Sequence, residues 1–508
     1  MKKLIAMILA AAMVLSLAAC GENAGTQTTP APSATQAPAT TKAPEATTKA
    51  PEASTKAPEA TTAAPADPGV PGTTSTYDGS AVTIRFYHTM GSKLADVLNL
   101  YLEEFNKLYP NITVETTAVG SYDDVRNQIG TEIPVGNQPN LAYCYPDHVA
   151  LYNLAKAVQT LDGYIDSTAE VTRADGTTEI LGLTAEQKAD FIEGYYNEGL
   201  QFGDGKMYTM PLSKSTEVLY YNKTFFEANN LKVPTTWDEV AEVCEKILTI
   251  DPMSIPLGYD SEGNWFITMT EQLQTPYTSA TGDHFLFNTP ENQAFIKEFR
   301  EWYQEGYLTT QKLYGAYTSG LFTSTSEIKS YMSIGSSAGA TYQRPAKGDD
   351  GNYPFEVGIA TIPQANPDNR KVISQGPSVC IFKKDNPQEM IASWLFVKYL
   401  TTTVDFQAEF SMASGYVPVI KSVAQNPAYA EFLAKADGGD YVSALSAKVC
   451  LEQEDAYYTS PAFNGSSTAR DEVAGLLTKC LTIPDGTDVD AEIQKAFNEA
   501  VEKCNYSL

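Results

Sequence analysis

The chain has 508 residues, 43% of them hydrophobic and 19% charged, the balance of a soluble globular protein too long for one ordinary core, so at least two packed units are expected. Its formal net charge of −27 makes a surface that repels nucleic acid and anionic membranes, which excludes nucleic-acid binding.

Lys2 and Lys3 precede an apolar run, Leu4–Ala19, that closes on Leu17-Ala18-Ala19-Cys20, the layout of a secretory signal with small residues before a cleavage point. The run is too short to span a hydrocarbon core of about 30 Å. A cysteine directly after the small residues resembles a bacterial lipobox, which implies that Cys20 becomes the lipidated first residue of the mature chain. From Gly21 to about Thr76 the composition is almost only Ala, Pro, Thr, Glu, Lys and Gly, with the units TKAPEAT, TKAPEAS and TKAPEAT starting at Thr41, Thr48 and Thr55. Such a segment cannot bury a core and favours extended geometry, so residues 21–76 are expected to be a disordered tether rather than a mucin-like stalk.

Folded structure is predicted to open with a strand in which Val82, Ile84 and Phe86 alternate. A helix follows, carrying Leu94, Val97, Leu98, Tyr101, Leu102, Phe105 and Leu108 at helical spacing and ending before Pro110. With a second strand at Asn111–Thr117, this β-α-β opening implies parallel pairing and an α/β lobe. Further strands are predicted at Asn140–Tyr145, Glu217–Tyr221, Phe355–Ile362 and Ser378–Lys383, and helices at Val149–Val158, Asp238–Thr249, from Pro290 through Tyr303, at Met390–Leu400 and near Asp488–Cys504. Thr236 at a helix start with Glu239 three residues later predicts a reciprocal capping box.

The equipment for covalent chemistry is missing. His88, His148 and His284 are the only histidines, and none stands at metal-ligand spacing. No HExxH, Walker loop or Gly-x-Ser-x-Gly elbow occurs. Asp485, Asp488, Asp490 and Glu492 lack the EF-hand order and read as a solvated helix start. Six cysteines remain beyond Cys20, with no Cys-x-x-Cys pair; Cys480 and Cys504 are nearest in sequence for a disulfide, and isolated buried thiols are the alternative. The 30 tyrosines and 4 tryptophans suit a cleft that holds sugars on aromatic faces, or phosphates beside arginine and hydroxyls.

Ser215-Thr216-Glu217-Val218-Leu219-Tyr220-Tyr221-Asn222-Lys223, followed by Pro234-Thr235-Thr236-Trp237-Asp238-Glu239, resembles the interlobe crossing of extracellular solute-binding proteins of ABC importers, in the carbohydrate and sn-glycerol-3-phosphate cluster. The resemblance covers about residues 82 to 505. It implies an α/β, two-lobed periplasmic-binding-protein-like fold with three interlobe crossings and a central cleft. One lobe would comprise residues 80–216 and 377–415, the other 217–376 and 416–508.

Residue by residue, the glycerol-phosphate branch has counterparts at Tyr122 of Gly120-Ser121-Tyr122, at Ser215, at Ser336, at Gly376, at Tyr416 of Gly415-Tyr416-Val417-Pro418, and at Arg470 for a ligand phosphate. Where that branch carries a glutamate for the glycerol hydroxyls, this chain has Tyr145-Pro146-Asp147, which implies either that Asp147 substitutes from a shifted register or that the ligand differs there. Trp237 reads as core, whereas Trp265 in Gly263-Asn264-Trp265 reads as a loop residue near the cleft, open to stacking on ligand. The resemblance implies a lipid-anchored, monomeric receptor with no enzymatic activity and no cofactor or metal. It would capture a sugar or oligosaccharide and deliver it to an ABC permease by hinge closure. Glycerol-3-phosphate or a glycerophosphodiester is the alternative ligand. A cell-surface glycoside hydrolase, needing two carboxylates across the cleft, and an adhesive wall protein are rivals without a motif.

Overall fold

The computed structural model describes residues 75–438 and 442–508; the signal, Cys20 and nearly all of the tether lie outside them. Strands β1 (Val82–His88), β2 (Ile112–Ala118), β3 (Leu141–Cys144), β6 (Thr209–Pro211) and β13 (Ser378–Ile381) form the first sheet, in the order β2-β1-β3-β13-β6. β1 runs parallel to β2 and β3, while β13 is antiparallel to β3 and β6. The parallel trio follows from the β-α-β opening, since helix Ser92–Leu108 makes the crossover and buries Leu98, Tyr101 and Phe105. Phe86 and Phe396, the latter from helix Pro387–Thr402, meet edge to face in this core.

The second sheet gathers β7 (Ser215–Asn222), β8 (Leu257–Tyr259), β9 (Leu308–Thr310), β10 (Met332–Ser336), β11 (Val357–Ala360), β12 (Val372–Gln375) and β14 (Tyr457–Tyr458). β7 is its central strand. It pairs antiparallel with β10 on one side, and with β12 and then β11 on the other, and its first six residues are buried. A fully apolar strand would suit that place, yet β7 carries Glu217 there, only 1% exposed. A separate hairpin, β4 (Glu170–Thr172) and β5 (Thr178–Ile180), decorates the first lobe.

The chain passes between the sheets at Leu212–Lys214, which joins β6 to β7, and at Gly376-Pro377, which joins β12 to β13. A third passage follows helix Val404–Ser414, capped by Gly415. It is gradual: Ile192 still donates to Val419 and Ser422 to Asp190, and only helix Val442–Glu452 packs under β7 and β11. The passages are tied together, because Lys214 N donates to Val417 O at 3.0 Å and Val417 N returns the bond. At Gly376, φ is +96° and a Cβ would stand 2.7 Å from Ser213 O, so glycine alone permits this close crossing of two strands.

Helix Trp237–Ile250 shows half of the predicted box. Thr236 Oγ1 accepts from Glu239 N at 3.2 Å, but the Glu239 carboxylate reaches back to Thr235 N and Oγ1 and to Lys232, the stronger partner for a charged group. Trp237 is buried, its indole donating to Gln272. The six described cysteines are buried and unbridged, Cys480 and Cys504 included.

Candidate functional site

Between the sheets lies a cavity of about 390 Å³ lined from both lobes. The first lobe contributes Ser121, Tyr122, Asp123, Arg126, Tyr145–His148 and Glu198; the second contributes Ser261, Asn264, Tyr277, Thr278, Ile373–Gln375, Thr459–Ala462, Ser466, Ser467, Arg470 and Asp471. Four helices begin at this wall: Tyr122–Glu132 behind Ser121, Pro146–Asn153 behind Tyr145, Glu262–Gln272 behind Ser261 and Ser466–Leu481 behind Gly465. Their amino ends bring partial positive charge and free amides to the cavity.

Arg470 is positioned by packing at backbone distance. A Cβ on Gly263 would come within 3.2 Å of Arg470 O and 3.3 Å of its Cγ, so glycine there lets the helix of Asn264 approach that of Arg470. Arg470 Nη1 donates to Asn264 Oδ1 at 2.8 Å, and Gln375 Nε2 donates to the same oxygen at 3.1 Å. Behind them, Asn264 Nδ2 donates to Glu217 Oε1 at 2.9 Å and the Tyr259 hydroxyl to Glu217 Oε2 at 2.6 Å. Burial pushes the Glu217 carboxyl up to about 7, against the lowering effect of those two donors.

Across the cleft, Ser467 Oγ donates to Asp147 Oδ2 at 2.7 Å, a direct bond between the lobes. Burial raises the Asp147 carboxyl, but the nearby His148 and Arg470 charges and the Ser467 hydroxyl outweigh it, so the group sits below its ordinary range. Burial lowers His148, which leaves Arg470, the Ser467 hydroxyl and the His148 backbone amide, donating to Asp147 Oδ1 at 3.0 Å, as the partners that act at neutral pH. The Tyr122 and Tyr145 rings lie 4.5 Å apart. Burial, with Tyr145 and Tyr416 alongside, drives the Tyr122 hydroxyl well above its usual range, so it stays a neutral donor. Among the cavity-lining residues, His148 Nδ1, Thr278 Oγ1 and Ser374 Oγ are buried with no hydrogen-bond partner in the protein. No group of three or more His, Cys, Asp and Glu among the described residues is placed to hold a metal ion.

Of the residues singled out from sequence, Tyr122, Asp147 and Arg470 line the cavity together. Tyr416 stands beside Tyr122, and Gly376 follows Gln375 at the second passage. Ser215 pairs with Gln375 across β7 and β12, outside the lining. Ser336 ends β10, where its hydroxyl accepts from Ala338 N. Trp265 corrects the expectation: it lies on helix Glu262–Gln272, fully buried, stacked on Tyr259 at 4.7 Å and Phe299 at 4.1 Å. Gly263-Asn264 reads as a loop signal, but Ser261 caps Asn264 N and starts the helix early, turning the indole into the core. Sequence reasoning missed Asn264, Gln375, Glu217, Glu198 and Lys214; a glutamate within the buried run of β7 was the available signal.

The profile of the bacterial extracellular solute-binding protein family matches residues 101–436. The sn-glycerol-3-phosphate-binding periplasmic protein UgpB of Rhizobium meliloti is 25% identical over 373 residues, 71% of this chain and 80% of that protein. Among solved structures, the cyclic α-maltosyl-1,6-maltose binding protein of Arthrobacter globiformis superposes with a TM-score of 0.63 at 19% identity, over 84% of this chain and 99% of that one. UgpB of Mycobacterium tuberculosis in complex with glycerophosphocholine gives 0.64 at 17%, with the same coverage. These structural likenesses show the two-lobed fold, and the sequence match assigns the family: the chain belongs to the bacterial extracellular solute-binding proteins.

Proposed function

We propose that this protein is the lipid-anchored, monomeric receptor of an ABC importer, and that the solute it captures between its lobes is a sugar or oligosaccharide handed to the permease after hinge closure. The observation that carries the ligand class is the charge and hydrogen-bonding balance of the cavity. Asp123, Asp147, Glu198 and Asp471 face Arg126 and Arg470, with Lys214 paired to Glu198 from behind, so four carboxylates outnumber three cations and a simple anion meets more like charge than opposite charge. Tyr145 and Tyr277 bring aromatic rings to the cavity beside the neutral polar side chains of Ser121, Gln375 and Thr459, the pairing that hydroxyl-rich rings use. Contacts made by both lobes exist only when the lobes are closed, so binding shifts the hinge equilibrium by that differential affinity, with no covalent step. Lipidation of Cys20 holds the receptor at the outer membrane face and residues 21–76 let it reach the permease.

A glycerophosphodiester is the second reading, favoured by one feature: Arg470 and the Ser466 and Ser467 hydroxyls cluster at the amino end of one helix, an arrangement suited to phosphate. A zwitterionic ester would also balance the surplus carboxylates, which bare glycerol-3-phosphate would not. A thermal-shift series on the protein lacking its first 20 residues separates the readings, using maltose, maltotriose, glycerophosphocholine and glycerol-3-phosphate. A concentration-dependent rise with the sugars supports the first; a rise with glycerophosphocholine alone supports the second.

A further inference from the structure

Glu198 and Lys214 form a buried ion pair that none of the residues named from sequence includes. Their side chains are 2% and 0% exposed. Lys214 belongs to the first passage between lobes, and its Nζ donates to Glu198 Oε1, to Ser378 Oγ at 2.9 Å and to Gly376 O at 3.2 Å. All three ammonium protons are therefore placed. Ser378 Oγ donates in turn to Glu198 Oε1 at 2.7 Å. That carboxylate oxygen is saturated by two donors. Among the described residues the other, Oε2, has only the Thr459 hydroxyl at 3.5 Å, a long contact across to the second lobe, and Glu198 and Thr459 both line the cavity. The Lys214 backbone is also bonded in both directions to Val417 of the third passage.

A buried carboxylate is stable when paired, and with one oxygen saturated it presents the other as a fixed acceptor. The lysine that orients it belongs to the first passage, and bonds Gly376 of the second through its ammonium and Val417 of the third through its backbone. We propose that Glu198 Oε2 is a ligand-binding acceptor for one hydroxyl of the solute, and that Lys214 is its positioning residue, linking occupancy of that acceptor to the geometry of the interlobe passages. This rests on the reading of the cavity as a site for a hydroxyl-bearing solute. Thr459 brings the second lobe to the same oxygen, so the acceptor is completed from both lobes only in the closed arrangement.

Calorimetric titration of the protein lacking its first 20 residues tests this, with maltose, maltotriose and glycerophosphocholine as probes, followed by monodeoxy analogues of whichever probe binds. In the wild type, one deoxy analogue is expected to bind at least tenfold more weakly than its parent. In E198Q the parent weakens about tenfold, and the parent and that analogue converge to within about threefold. K214M is expected to lose the same discrimination although Glu198 is still present; a merely structural lysine would lower the thermal midpoint and leave discrimination intact. Retention of full discrimination by E198Q overturns the proposal and leaves the sugar reading standing. If no probe binds the wild type, the reading of the cavity fails and the proposal with it. E198Q keeps the shape of the pair and a hydrogen-bonding partner for Lys214, so it decides the matter if K214M does not fold.

Discussion

Arg470 and Asn264 face each other across two packed helices, Arg470 Nη1 donating to Asn264 Oδ1 at 2.8 Å, and through Asn264 the guanidinium is connected to the buried Glu217. A cleft cation is thus held in place by a polar chain rooted in the central strand of the second lobe. Removing the arginine leaves Asn264 and Gln375 intact but takes away the cavity's best multi-donor group. R470A is expected to weaken solute binding by about 2 kcal/mol, roughly thirtyfold, as read by calorimetry, with a thermal midpoint of the ligand-free protein close to that of wild type.

Glu217 makes stability depend on pH in a definite direction. Its folded value of about 7 stands above the ordinary 4.5, so between those pH values the folded state holds a proton that the unfolded state has released. The group's contribution is complete below about pH 4.5 and is lost as pH rises through about 7. The difference of about 2.5 units corresponds to a loss on the order of 3 kcal/mol. Denaturant unfolding at pH 5 and pH 8 should show E217Q gaining on the wild type as pH rises; parallel curves would remove Glu217 from this role.

Trp265 is a core residue. Packed between Tyr259 and Phe299 with no exposed surface, it should behave as one: W265A is expected to cost about 3–5 kcal/mol in stability. W265F, which keeps most of the volume, should bind solute with wild-type affinity. A W265F protein that is folded but loses binding would place the ring at the ligand instead.

Gly376 is a conformational requirement. With φ at +96° and backbone atoms of Ser213, Lys214 and Ser215 at or within 3.0 Å of any Cβ, G376A is expected to lower stability by at least about 1–3 kcal/mol through strain alone. Since both affected segments are interlobe passages, ligand affinity should fall with it.

The fold was legible where pattern and topology agree. Alternation at Val82, Ile84 and Phe86 followed by the helix through Leu108 required a parallel start, and the strand ahead of Asn222-Lys223 is the observed β7. The site was only partly legible. Tyr122, Asp147 and Arg470 could be reached through family likeness, and the cavity brings them together. Ser215 and Ser336 could be aligned in the same way, but alignment carries no side-chain direction, and they lie outside the lining. Glu198 and Lys214 are 16 residues apart and meet only because a short turn folds back on the first passage, a long-range event that no local pattern encodes. Trp265 misled because Gly-Asn reads as a loop unless the preceding serine is recognised as a cap.

The most direct test of the account is a pair of calorimetric titrations on one preparation, maltotriose against glycerol-3-phosphate, repeated with R470A and D147N. The account predicts saturable one-to-one binding of the sugar, weakened in both variants because each lobe supplies one of these residues, and weak or undetectable binding of the phosphate. Tight binding of glycerol-3-phosphate with no heat from the sugar would contradict it.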